Sequence, residues 1–333
     1  MKKTILTTAI LSSILSISAA NAAPVFDANF ELNNDATDTE TGDTTYDQNG
    51  RVELNAYSKH TAGDNFFAGK GTLLLTTDGD ANIDDAFIQF GNSTWDFQLG
   101  RFEAINLFPL AKDTLIVHAN EDYVYQANKV RGRIGDGGGQ IAFHYSASER
   151  LKFEVDTLYG DGDSDQGDGS LYGDNTTAIS GVRPSVTFIT DAATISVGYE
   201  SVKYDTTDGA TSPTTGKVDL TGYAVTANFD VAEANINLAA AFSKDDITDR
   251  EVASFIANMV YGNFGLGVIG SNVDNQTGND PSMLTTYIAY TVPLLDIENA
   301  SVTFAGSYST IDDAAANEND KTTAARVRFN YDF

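Results

Sequence analysis

Lys321-Thr322-Thr323-Ala324-Ala325-Arg326-Val327-Arg328-Phe329-Asn330-Tyr331-Asp332-Phe333 alternates apolar and polar side chains up to its last residue. Ala325, Val327, Phe329, Tyr331 and Phe333 share one parity; Arg326, Arg328, Asn330 and Asp332 share the other. Successive side chains of a strand point to opposite faces, so this segment is apolar on one side and charged on the other. In a water-soluble sheet the apolar side would have to cover a core right up to Phe333. In a transmembrane barrel the same side meets lipid, the charged side lines an aqueous lumen, and the last strand closes the sheet. The second arrangement uses every residue of the segment and sets the reading of the rest.

The other end agrees. Met1-Lys2-Lys3 is a basic start, 4–17 is mainly apolar with small hydroxyls, and Ala20-Asn21-Ala22 has the small-x-small form of a cleavage site. The apolar run is too short to span a bilayer as a helix. Residues 1–22 are therefore expected to be an export signal cleaved after Ala22, with 23–333 as a single barrel domain.

Composition narrows the class. The 333 residues hold no cysteine, which excludes a disulfide framework, and 47 acidic against 20 basic side chains give a formal net charge of −27. Such a field repels nucleic acid and favours cations. With 41% hydrophobic residues, 15 Tyr and 19 Phe, disorder is excluded. No later apolar run is long enough for a membrane helix, and hydropathy stays low because only every second strand residue of a barrel faces lipid.

Alternating runs recur at roughly twenty residues per hairpin. Phe26, Ala28, Phe30 and Leu32 oppose Asp27, Asn29 and Glu31; Trp95, Phe97 and Leu99 oppose Asp96 and Gln98; Ile195, Val197 and Tyr199 oppose Ser196, Gly198 and Glu200. Segments 252–261, 264–272, 283–292 and 300–309 alternate more weakly. The sum is an all-β, antiparallel transmembrane barrel of about sixteen strands, with 14–18 allowed. Short connections (61–65, 92–94, 148–150, 190–193, 231–233) alternate with long acidic or Gly-rich ones (34–50, 102–139, 160–177, 205–216, 311–321), the asymmetry of periplasmic turns and outer loops. A β-sandwich has no reason to alternate in this way.

With these features the chain resembles the Gram-negative porins over essentially its whole mature length. Leu99-Gly100-Arg101-Phe102 ends a strand before the longest loop, and the terminal Arg-Phe-Asn-Tyr-Asp-Phe looks like the assembly signal of outer-membrane barrels. The resemblance implies that the third outer loop, here about 102–128, folds inward and narrows the pore, and that the barrel forms a homotrimer in outer-membrane lipid and lipopolysaccharide. The general-porin run Pro-Glu-Phe-Gly-Gly-Asp is absent; Asn106-Leu107-Phe108-Pro109-Leu110-Ala111-Lys112-Asp113 stands there instead. In that respect the chain looks more like a carbohydrate-type porin.

Three groups of residues invite a functional reading. Glu103, Asp113, Glu121 and Asp122 on the inward loop, facing Arg51, Lys70, Arg183, Arg326 and Arg328 on lumen parity and Arg131 and Arg133 after the loop, would build a transverse field across a constriction. Alternatively the acids are solvated and the bases pair structurally. Phe108, Tyr123, Tyr125, Tyr57 and Tyr287 would stack on sugar rings, or else anchor the loop and join an interfacial girdle. Asp161, Asp163, Asp165 and Asp168, like Asp78, Asp80, Asp84 and Asp85, are Asp clusters; the first lacks the Gly and Glu that a calcium hand requires, Gln166 and Tyr172 standing there. His60, His118 and His144 find no recognisable catalytic partner, so no enzymatic role, cofactor or metal centre is expected. The expected function is a passive, cation-preferring pore for small hydrophilic solutes, sugars and oligosaccharides among them. A non-conducting barrel acting as adhesin or phage receptor is the alternative.

Overall fold

The computed structural model describes residues 23–40, 42–110, 115–133, 138–160, 176–207, 215–314 and 319–333. Residues 1–22, expected to be an export signal, Asp113 and the Asp161–Asp168 cluster lie outside them. Sixteen strands run β1 (Val25–Thr39), β2 (Thr45–Ala62), β3 (Asn65–Thr76), β4 (Ala81–Asn92), β5 (Trp95–Arg101), β6 (Gly138–Ser148), β7 (Leu151–Gly160) and β8 (Thr176–Ile189). They continue with β9 (Thr194–Thr207), β10 (Thr215–Val231), β11 (Ala234–Asp245), β12 (Arg250–Tyr261), β13 (Phe264–Asp274), β14 (Ser282–Pro293), β15 (Ala300–Asp312) and β16 (Lys321–Asp332). Each pairs antiparallel with its sequence neighbours, and β1 pairs with β16 to close the barrel. The terminal residue is part of the seam: Phe333 N–H donates to Ala28 O at 2.8 Å, and Ala28 N–H to Phe333 O at 2.9 Å. Closure leaves no free sheet edge, which is the condition for backbone amides in hydrocarbon.

The faces follow parity. Phe67, Phe153, Phe188, Tyr223, Phe255, Ile288, Phe304 and Phe333 all lie exposed on the outside. An apolar surface of that extent is tolerable only against lipid. Rings gather near the short turns, as in Phe97–Phe143 (centroids 4.9 Å apart) and Phe264–Tyr290 (4.4 Å). Two short turns use glycine at positive φ, Gly63 at 61° and Gly262 at 53°, where a Cβ would be strained.

One connection departs from the sequence reading. The stretch 34–50 is not a long outer loop, because β1 reaches Thr39 and β2 begins at Thr45. Asp35 is matched to Asp47 and Asn33 to Asn49 in a continuing ladder. Asp35, Asp47 and Asn49, read as loop from their polarity, stand on the lumen face of that ladder.

Candidate functional site

The long connection between β5 and β6 turns into the barrel and is pinned to the inner wall across much of its girth. Its return to the wall comes only at Gly138, so it is longer than 102–128. Main-chain groups make the attachments. Val117 N–H donates to Ser307 Oγ (3.1 Å), Ala119 N–H to Ser309 Oγ (2.9 Å) and Tyr125 N–H to Ser254 Oγ (2.9 Å). Leu110 O accepts from the Tyr287 hydroxyl (3.0 Å) and Pro109 O from Asn258 Nδ2 (2.7 Å). A short 3-10 turn at Glu121–Tyr123 is capped by Asn120, whose Oδ1 accepts from Asp122 N–H at 3.1 Å.

Apolar packing completes the docking. Leu107, Phe108, Tyr123 and Tyr125 are buried against Val252, Ile256, Ile269, Met283 and Tyr287 on the lumen face of β12–β14. Burying a Leu or Phe side chain contributes about 1.5–3 kcal/mol. Phe108, Tyr123, Tyr125 and Tyr287 therefore fasten the loop and present no open ring for a solute. Tyr57 alone of that set is more than a third exposed, beside Lys70 on the lumen face.

Beneath the loop sits a charged clamp. Arg183 is 0% exposed, so it does not line the water path as its parity suggested. Its Nε donates to Ala127 O (3.1 Å) and its Nη2 to Ile105 O (2.8 Å), one carbonyl from each limb of the loop. Glu200, also buried, accepts from the Tyr125 hydroxyl (2.6 Å), Lys129 N–H (3.3 Å) and Val130 N–H (3.0 Å). Burial and the nearby Glu200 carboxylate push the Tyr125 hydroxyl well above its ordinary pKa, so it remains a donor. Glu154 accepts from Ile105 N–H at 3.0 Å. Glu154 and Glu200 stand on lumen parity in the sequence, but nothing local says that a distant loop will cover them.

Three lumen-facing glycines make the room. A Cβ at Gly181 would meet Val130 Cγ2 at 2.9 Å; at Gly198 it would strike Leu107, and at Gly222 the Tyr125 hydroxyl. Glycine where a lumen polar residue is expected is the sequence signal of close approach by another segment.

The loop leaves one wall open, formed by β16 and β1–β4. There acids and bases interleave. Arg51 meets Glu31 (3.5 Å) and Glu53 (3.2 Å), and Lys70 meets Asp85 (2.8 Å). Arg326 holds Asp35 through two hydrogen bonds of 2.7 and 2.6 Å, and Arg328 reaches Asn33 (2.6 Å) and Glu31 (3.4 Å). The end of the loop adds Arg131–Glu103 (2.8 Å) and Arg133 with Asp84 (2.6 Å) and Asp85 (3.2 Å). Asp84 and Asp85 thus belong to this wall rather than to an outer cluster. Glu121 and Asp122 are exposed at the outer mouth; among the described residues neither carboxylate has an ion pair, Arg250 reaching only Asp122 O (2.7 Å).

His118 links the loop to acidity. Its Nδ1 lies 2.8 Å from Thr285 Oγ1, and burial lowers its pKa to about 4. The undocked ring titrates near 6.5, so docking is strongest above that value, weakens as pH falls through 6.5, and loses no more below about 4. The loss is at most about 3 kcal/mol. Conductance fluctuations are expected to grow between pH 6.5 and 4 in the native channel and to lose that pH dependence in His118→Gln, measured in planar bilayers.

A family model described as porin-like glycoporin RafY matches residues 17–333. No curated protein matches the sequence. Among solved structures, the trimer form of in-vitro folded OmpT, an outer membrane protein of Vibrio cholerae, is 13% identical with a TM-score of 0.61, covering 93% of this chain and 99% of that one. An anion-selective porin from Comamonas acidovorans is 12% identical with a TM-score of 0.62, over 94% and 100%. These structures share the barrel fold.

Proposed function

Since this chain belongs to the porin-like glycoporin family and is an outer-membrane channel rather than an enzyme, we propose that its pore prefers cations and admits neutral oligosaccharides. The observation that carries the cation preference is the pairing on the open wall. Arg51, Lys70, Arg131, Arg133, Arg326 and Arg328 are each met by a carboxylate, whereas Glu121 and Asp122 at the outer mouth have no ion pair among the described residues. Fixed charges left unneutralised set the local ion concentration, and with a formal net charge of −27 their sum over the chain is negative. The same pairing leaves the eyelet polar and without a large excess of either sign, which suits uncharged hydroxylated solutes. Support for sugars comes from the family description, and support for a homotrimer from the trimeric form of OmpT.

Reversal potentials across a KCl gradient test the preference. The native channel is expected to pass K+ over Cl−, and Glu121→Gln combined with Asp122→Asn to lower that ratio by about half or more at low salt, where screening is weakest. A native preference for Cl− would reject the proposal. Maltotriose added to the open channel is expected to interrupt the current in concentration-dependent blocks. Folded barrel without any current would favour an adhesin or receptor role.

A further inference from the structure

We propose that the lumen pocket on the periplasmic side of the loop, on the inner face of β5–β8, is a subsite for an uncharged, hydroxyl-rich solute of about one or two sugar rings. It deepens the sugar-passing reading above and rests on it. The cavity is about 380 Å³, within the range of small-molecule sites.

Strand register builds it. Asp96 pairs with His144, His144 with Glu154 and Glu154 with Ser185, placing four side chains in one row on the lumen face. Ser146, Lys152 and Thr187 form the next row toward the short turns. Ile105, its N–H held by Glu154, gives the pocket an apolar wall from the loop. The site therefore exists only when the loop is docked.

The charges select the ligand class. His144 Nδ1 lies 2.6 Å from Asp96 Oδ1, and its Nε2 lies 3.2 Å from Glu154 Oε2. A neutral imidazole has a single N–H, so only the doubly protonated ring donates to both carboxylates. With Lys152 the pocket then holds two positive and two negative groups, and a net charge on the solute gains nothing there. What it does offer is unused hydrogen-bonding capacity. Among the described residues the Lys152 ammonium and the Ser146 and Ser185 hydroxyls have no side-chain hydrogen bond or ion pair, although Ser185 is only 8% exposed. Polar groups that line a pocket without a protein partner are satisfied by water or by a solute. Donors and acceptors around one apolar wall match a sugar ring, whose C–H face packs on Ile105 while its hydroxyls reach Lys152, Ser146 and Ser185.

Calorimetric titration of the detergent-folded full barrel with maltotriose tests this, with glucose 6-phosphate as the charged probe. Saturable maltotriose binding is expected, weakened about tenfold by Ser185→Val and by Lys152→Met, since each removes one hydrogen bond. Both variants should still open channels in bilayers, which confirms that they fold. Absence of saturable heat with the native barrel, binding by both variants as tight as by the native barrel, or tighter binding of glucose 6-phosphate would each overturn the subsite. Ion current without maltotriose binding would leave the pore reading standing and remove the subsite. Binding without current would do the reverse.

Discussion

Arg183→Met is expected to free the constriction loop while leaving the barrel closed. The substitution removes the donors to Ala127 O and Ile105 O, which tie together the two limbs of the loop. It also leaves Glu200, 0% exposed at its side chain and 3.9 Å from Arg183 Nε, as a buried carboxylate without its cation. Breaking a buried pair from one side costs about 3–5 kcal/mol, which raises the undocked fraction of the loop by a hundredfold or more. The strand ladder does not depend on this side chain, so the folded barrel should persist. Single-channel current should become larger and noisier, and the Lys129 and Val130 amides, both hydrogen-bonded to Glu200, should lose protection from hydrogen exchange. Glu200→Gln should act in the same direction and less severely, because the amide oxygen still accepts from the Tyr125 hydroxyl and Lys129 N–H while the bond from Val130 N–H is lost. Native-like current and protection in both variants would refute the clamp.

Gly222→Val carries the second large effect. Valine is a better strand residue than glycine, so under open water the change would be neutral or stabilising. Under the docked loop its Cβ falls on the Tyr125 hydroxyl. Tyr125 must then leave Glu200, and its backbone must shift from Ser254. Overpacking of this kind costs about 1–3 kcal/mol before the lost hydrogen bonds are counted. Gly198→Val on the neighbouring strand β9, where a Cβ meets Leu107 of the loop, should behave alike. The sign of the change in thermal stability, read beside the conductance, decides whether the loop lies against β9 and β10 in the membrane.

The weak alternation of β12–β15 has its explanation in the same docking. Val252, Ile256, Ile269, Val273, Met283 and Ile311 lie on lumen parity, where open water would favour polar side chains. They are apolar because the loop covers them. In the sequence this looked like a fading signal, whereas it marks the dry part of the lumen. Likewise Arg183 and Arg326 have the same parity and the same residue type. One is sealed under the loop and the other stands on the wet wall beside Asp35.

Parity, turn chemistry and the terminal aromatic strand determined by themselves that this chain is an outer-membrane barrel of about sixteen strands, and which side chains face inward. Those properties are local: a residue's face is fixed by its position along an extended strand. Which inward side chains meet water was decided only by the tertiary structure. The loop has no periodicity to read, and it is held by contacts such as Val117 to Ser307, 190 residues apart. Docking of that range follows from the combined fit of carbonyls, hydroxyls and glycine-sized gaps on strands that become neighbours only when the barrel closes.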